Sequence, residues 1–499
     1  MDGAKCSENQ HIEQYVLENP KAQGLKAVPE VLLTLSSEER EQKEKALVRK
    51  IDTRLLIIML VMYILNYLDR NNIAAAKLAG LQDDLNLTGD EYQVCVSILF
   101  VGYLLMQVPS NMILKKFGKP SIYLPSCMVV WGVISCCTAV TKDFGGLLAV
   151  RFFLGFIEAA YFPGCLYLLS AWYTRKELVK RTALLYAGSL ISGAFSGLIS
   201  AGITSGLNGA RGIAAWRWLF IIEGSLTIFA ALVAFFIVPD LPRTTLWLSD
   251  DEKVLAAWRL EEDIGEDDWV DSEHQSMFHG AKLAFLDPKT WLLLGLIYGC
   301  TSAGAVTTFF PSVMAGLGRN KIDTLLLTTP PYLIGTIVVL INAWHADRTG
   351  ERYLHMCLPP LLLLCLSSWL WQEITLPLVM CGIYSSYVVA LGYISNILPR
   401  PAAKRAAALA LINCLSNVCQ IYTPYLYPDS AAPRYITAFS IDIGMCVMTI
   451  IFATILRIYL GRLNKQLDQE EGTDLTTDAM SSEGNGPSGL TVRSFRYLL

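Results

Sequence analysis

The run Tyr63-Ile-Leu-Asn66-Tyr-Leu-Asp69-Arg70-Asn71 sets an acid beside a base inside a segment apolar enough to span a bilayer. A charged side chain at mid-bilayer costs roughly 2.5–3.5 kcal/mol on insertion scales, so such residues usually face a protein interior or a watery cavity and carry function. At helical spacing Tyr63, Asn66 and Arg70 fall on one face, with Asp69 beside it. The alternative is that Asp69 and Arg70 sit at the outer end of the helix and snorkel or cap. A second constellation, Arg151-Phe-Phe-Leu-Gly155-Phe-Ile-Glu158, places Arg151, Gly155 and Glu158 on a shared face, because residues seven apart stack almost directly on a helix. Four ionisable groups in one bilayer half are tolerable only if they can pair, so this face is expected to meet the first. Arg stays charged and offers a planar fork to a carboxylate. A Glu in a drying cavity has its charged form disfavoured, and a carboxyl that loads a proton from one side and releases it to the other is a coupling device. For Glu158 the competing role is a structural ion pair with Arg151 or Arg70, and for Arg151 structural pairing is the expected role.

Other polar groups lie in apolar runs. Tyr103 and Gln107, four apart, are candidates to line the same cavity, as are Asn396, Asn413, Asn417 and Gln420. For the last three, hydrogen bonding between helices is an equal alternative. Tyr384 and Tyr387 are placed to shape a pocket, whereas His345 and His355 flank a loop and read as incidental. Gly188, Gly193, Gly197 and Gly202 recur in one apolar run, where small residues let helices approach closely.

The elements that position these groups are membrane helices. Of 499 residues 53% are hydrophobic and only 17% charged, with a mean hydropathy of +0.41, against about 25% charged in a soluble protein. Runs of about 20 apolar residues number twelve, arranged six plus six, which predicts an all-α membrane fold of two six-helix halves. The predicted organisation is a polar cytoplasmic arm at 1–50, a first half at 51–238, a central loop at 239–290, a second half at 291–462 and a disordered tail at 463–499. In the loop, Ser249-Asp-Asp-Glu252 is a capping box that opens a short amphipathic helix through Leu255, Trp258 and Leu260. The net charge of −4 is small and no nucleic-acid footprint is visible. The 13 cysteines lie mostly in apolar runs, with no paired metal-ligand spacing and no disulfide framework. No cleavable leader is expected, and a monomer is.

Basic residues cluster in alternate loops: Lys115, Lys116 and Lys119, then Arg175, Lys176, Lys180 and Arg181, then Arg348 and Arg352, then Arg400, Lys404 and Arg405. The positive-inside rule then puts both termini and the central loop in the cytoplasm. Asn86-Leu-Thr88, an acceptor tripeptide for glycosylation, falls in the first outside loop. Two of the inside loops match. Lys115-Lys116-Phe-Gly118-Lys119 and Asp347-Arg348-Thr-Gly350-Glu-Arg352 carry basic residues around a glycine, the glycines 232 residues apart. A charged clamp between adjacent helix ends, made and broken as the halves rock, is one reading; a plain basic loop is the other.

The double six-helix plan and the Asp347-Arg348-x-Gly350-x-Arg352 run resemble the major facilitator superfamily. More narrowly, LDRNNIAAAKLAGLQDDLNLTGDEY, VGYLLMQVPSNMILKKFG, RFFLGFIEAAYFPG, LPRTTLWLSDDEK and PRPAAKRAAALALIN are similar to the fungal allantoate permeases among the anion:cation symporters, over about residues 45–465. The resemblance implies that Arg70 binds a substrate carboxylate, and the helical faces read above put Tyr63, Asn66, Tyr103 and Asn413 among the groups expected around it. It also implies that Asp69 and Glu158 exchange protons, and that Arg151 tunes them. The function it implies is proton-coupled symport of a small organic anion across the plasma membrane, without cofactor or metal. Export of a metabolite by antiport and transporter-like nutrient sensing stay open. No Walker loop, nucleophile elbow or zincin His pair points to an enzyme.

Overall fold

A computed structural model describes residues 35–264, 277–315, 320–367, 372–398, 402–432 and 435–481, with residues 29 and 32. Among these no strand occurs, as expected where lipid leaves the backbone only its own groups to bond with. Nine helical stretches among the described residues are long and apolar enough to cross a membrane. Three further helices, Tyr353–Ser367, Gln372–Ile397 and Ala402–Asn417, pack into the same bundle and bring the spans to the expected twelve.

The two halves repeat one packing scheme. In the first, span 1 (Ile57–Leu78) packs on span 5 (Arg175–Gly206) and span 6 (Ala215–Ile237). Span 2 (Glu91–Phe117) packs on the first part of span 4 (Phe144–Glu158), and span 3 (Pro120–Thr138) on spans 4 and 6. Six spans on, the same pairs recur: span 7 (Pro288–Gly304, Val306–Ala315) on span 11 (Ala402–Asn417) and span 12 (Ile436–Ser481), span 8 (Lys321–Leu327, Thr329–Thr349) on span 10 (Gln372–Ile397), and span 9 (Tyr353–Ser367) on spans 10 and 12. The matched loops share this symmetry at atomic detail. Gly118 and Gly350 end spans 2 and 8 at φ +65° and +70°, each N–H donating at 3.0 Å to the carbonyl four residues back. That left-handed cap favours glycine.

Spans 2 and 4 touch backbone to backbone. A Cβ on Gly155 would lie 1.9 Å from the Leu99 carbonyl oxygen. Span 4 breaks after Glu158 and resumes as Tyr161–Trp172, because the ring of Pro163 clashes with the carbonyl of Ala159.

On the side where the chain enters the bundle, here the near side, the arm forms a helix, Ser37–Ile51, opened by a Ser36/Glu39 capping box. It runs without a break through the π-helical turn Asp52–Leu56 into span 1. The central-loop helix, Asp250–Ile264, starts at the predicted capping box, with Ser249 N–H donating to Glu252 at 2.9 Å and Glu252 N–H to Ser249 Oγ at 3.2 Å. Ion pairs bind it to the arm helix, Lys50 with Glu252 (2.7 Å) and Arg40 with Glu262, and to span 5, Arg259 with Glu177 (2.6 Å). Most of the acidic stretch that follows it falls outside the described residues. Span 12 departs from expectation. The chain was expected to be disordered from residue 463, yet the helix runs Ile436–Ser481. Extending a formed helix costs far less than starting one, and no proline interrupts this stretch.

Candidate functional site

A cavity of about 100 Å³ lies between the halves. Tyr63, Asn66, Arg70, Tyr103 and Arg151 line it from the first half, and Tyr384, Tyr387, Asn413, Asn417 and Gln420 from the second. Span 1 supplies its polar edge at the spacing expected, with Asn66 and Arg70 one turn apart. Arg70 Nε donates to Glu158 Oε1 in an ion pair, so the faces of spans 1 and 4 do meet. The guanidinium also sits 4.7 Å from the Tyr103 ring centre and 5.2 Å from that of Tyr67, a cation–π setting that holds it in place.

Around this pair several buried polar atoms make no hydrogen bond: Glu158 Oε2, Asn66 Nδ2 and Arg151 Nη1. Arg151 is 2% exposed and makes one long contact, from Nε to the Cys95 carbonyl at 3.5 Å. Unmade bonds of this kind cost about 1–3 kcal/mol each. They define a polar cluster able to accept an anion at the arginines or a proton at Glu158.

Asp69 does not share this site. It is 1% exposed and points into the first half, accepting from Ser135 Oγ of span 3 at 2.8 Å and Thr227 Oγ1 of span 6 at 3.0 Å. Neighbours in sequence on a helix diverge by about 100°, which turns Asp69 inward as Arg70 faces the cavity. Both lie mid-span, so neither caps nor snorkels at a helix end.

In the second half Asn417 Nδ2 donates to the Asn413 carbonyl (2.7 Å) and to Asn413 Oδ1 (3.1 Å), a bond along one helix rather than between two. Tyr384 shares a hydrogen bond with Thr307 Oγ1 at 2.9 Å. Tyr186 of span 5 meets Tyr387 across the cavity at 4.9 Å between ring centres. The cations among the described lining residues, Arg70 and Arg151, both come from the first half. Gln107 is buried away from the cavity lining, and the side chain of Asn396 falls outside the described residues.

Of the proposed gate residues, Gly118 and Gly350 are the paired caps. Arg348 is exposed beside Trp344 (5.4 Å), Arg352 is buried, and the side chain of Asp347 falls outside the described residues. His345 Nδ1 and His355 Nε2 lie 2.6 Å apart, and Glu351 joins His355 (3.1 Å) to Arg457 of span 12 (3.8 Å). Asn86 is exposed in its loop at φ +52°.

Two buried acids escaped the sequence reading: Glu223 of span 6, 1% exposed, and Asp442 of span 12, which accepts from the Tyr427 hydroxyl at 2.7 Å. Each stands inside an otherwise apolar stretch of its helix, the signal that marked Asp69 and Arg70.

Comparison with known proteins agrees with the helix scheme. The chain is 32% identical over 449 residues to the MFS transporter prlL of Fungal sp. (strain NRRL 50135), covering 86% of this chain and 89% of that protein. It is 31% identical over 481 residues to the MFS-type transporter cnsO of Penicillium expansum, covering 91% and 90%. The solved structure of the proton:xylose symporter XylE bound to 6-bromo-6-deoxy-D-glucose superposes with a TM-score of 0.61 at 14% identity, over 82% of this chain and 96% of that one, a likeness of fold. The family model for the Major Facilitator Superfamily matches residues 59–424, and with that extent and these relatives the chain belongs to this superfamily and is a multi-pass membrane transporter, not an enzyme.

Proposed function

We propose that this transporter carries a small organic anion, a carboxylate, together with protons by alternating access. The observation that carries the reading is the Arg70–Glu158 ion pair beside the cavity, flanked by the unbonded polar atoms of Asn66 and Arg151. An ionised Glu158 competes with the solute for Arg70. Protonating Glu158 frees the guanidinium to take a carboxylate in its two-pronged geometry. Proton and anion therefore load together, and a site that binds them together couples their fluxes. Arg151 keeps a second positive charge near the anion. Asn66, Tyr63, Tyr103 and, from the opposite half, Asn413 would orient it.

The rest of the reading follows from charge and motif. The basic loops put both termini on the cytoplasmic side. The plasma membrane is the proposed location, and Asn86 the proposed glycosylation site. The motif strings favour the allantoate permease group within the superfamily.

The test is flux into proteoliposomes under an imposed pH gradient, screening labelled ureido acids, nicotinate, sugar acids and acidic dipeptides. Uptake of one acid that follows the gradient supports the reading. Glu158→Gln is expected to keep solute exchange and lose uphill accumulation; accumulation that survives makes Glu158 structural. Movement of solute against the proton flow would indicate export instead.

A further inference from the structure

Behind the cavity wall, inside the first half, a second carboxyl faces Asp69. Asp69 of span 1 and Glu223 of span 6 are each 1% exposed. Spans 1 and 6 run antiparallel, and the bond from Thr227 to Asp69 fixes their register. One turn further along each helix, Asn72 comes beside Glu223. Asn72 is fully buried, and neither its amide oxygen nor its nitrogen makes a hydrogen bond; both Glu223 oxygens are likewise unbonded. The buried amide and the buried carboxyl therefore have each other as their polar neighbour, and a proton on Glu223 would let the acid donate to the Asn72 side-chain carbonyl.

The polar and titratable groups that face these two acids come from spans 3, 4 and 6. Span 3 presents Trp131, Ser135 and Cys136, span 6 Thr227, and span 4 Glu158. None of them is a cation, and Arg70, next to Asp69 in sequence, is turned to Glu158. Two carboxylates that share a dry site cannot both ionise cheaply. Asp69 already has two hydroxyl donors to stabilise its charge, whereas Glu223 has none.

We propose that Asp69 and Glu223 form a proton-binding pair, in which Glu223 holds a proton at neutral pH, Asn72 bonds the resulting acid, and the pair is a proton site separate from Glu158. Releasing that proton breaks the Glu223 O–H bond, leaves a carboxylate and passes H⁺ to water. The transport consequence, one more proton moved per solute, rests on the symport reading above; the proton site itself does not.

The experiment uses the full chain in liposomes without solute and reads the infrared carbonyl stretch of protonated carboxylic acids as pH is varied. In the wild type a band is expected at neutral pH that shifts on labelling with [¹³C]glutamate. Glu223→Gln should lose it and Glu158→Gln should keep it. A label-shifted band that survives Glu223→Gln, or the absence of any label-shifted band in the wild type, overturns the pair. So does loss of the band on adding sodium ions, which would make the site one for a metal cation. Should Glu223→Gln fail to fold, labelled Glu158→Gln still decides, because Glu223 is then the one buried glutamate left among the described residues and a persisting shifted band is assigned to it, whereas loss of the band overturns the pair. In flux assays Glu223→Gln is expected to lower the proton-to-solute ratio by one while uphill uptake persists. A Glu223 band without any proton-driven flux would sink the symport reading and leave the site standing.

Discussion

Arg70 meets three demands at once: it pairs with Glu158, it is pinned by the Tyr67 and Tyr103 rings, and it lines the cavity. Lysine would keep the charge and lose both the planar fork and the stacking. Arg70→Lys is expected to weaken binding of the transported acid at least about tenfold, equivalent to about 1.4 kcal/mol, read as KM for uptake or by direct binding. Unchanged affinity would remove Arg70 from the substrate site. Thr227→Val tests the other side of the same helix. Loss of one hydroxyl donor to buried Asp69 should cost roughly 1–3 kcal/mol of stability, seen as a lower unfolding temperature in detergent, and no loss would mean that Asp69 does not depend on this bond. Asp69, Arg70, Arg151 and Glu158 were legible in the sequence because charge inside an apolar run stands out against its surroundings. The partners were not. That Asp69 turns to Ser135 and Thr227 while Arg70 turns to Glu158 depends on which spans touch, and one sequence does not encode that contact locally. Glu223 carried the same signal and went unread because it stands alone, with no second ionisable group at helical spacing.

Among the helices, glycines decide how near the charged faces come. Gly155 sits on the Arg151–Glu158 face, and its missing side chain lets span 4 lie against the Leu99 carbonyl of span 2. Gly155→Ala must push the two helices apart, which in a packed core costs roughly 1–3 kcal/mol, and it should also displace Glu158 from Arg70. Gly202→Ala is the matched control, since a Cβ there meets nothing within 4 Å and replaces glycine by the better helix former. Unfolding temperatures in detergent should fall for the first and hold or rise for the second; equal values would show that the close approach carries no stability. The spacing of small residues in span 5 was legible as packing. It could not separate Gly188, Gly193 and Gly197, which meet Leu60, Tyr332 and Thr328, from Gly202, which meets nothing. Similarly, the capping box at Ser249 located the loop helix, but nothing local to the arm reveals that Ser37–Ile51 and span 1 are continuous.

For the molecule as a whole, the contacts between halves gather on the side away from the arm. Span 5 meets span 8 there, with Gly193 against the Tyr332 ring, Gly197 against Thr328 and the Leu325 carbonyl, and Thr329 Oγ1 donating to the Ala194 carbonyl at 3.3 Å. Ser97 Oγ of span 2 donates to the Ile421 carbonyl beyond span 11 at 2.7 Å. On the near side, by contrast, ion pairs join elements within one half: Asp52 with Arg181 and Glu177 with Arg259 on the first, Asp287 with Lys404 and Glu351 with Arg457 on the second. This conformation is therefore held shut at the far seam, and rocking of the halves must open that seam while each near-side cluster moves as a unit. Gly197→Val places a branched side chain where a Cβ alone would come within 2.4 Å of Thr328 Oγ1 and 2.6 Å of the Leu325 carbonyl, so the seam cannot close around it. A reporter cysteine at Ser97, in a background without other accessible thiols, should then react faster with a membrane-impermeant maleimide from the far side. Solute flux should fall while the protein stays folded, because a transporter held in one state binds without cycling. If labelling at position 97 is unchanged by Gly197→Val, the span 5–span 8 seam does not control access, and the contact between spans 2 and 11 must be tested as the barrier in its place.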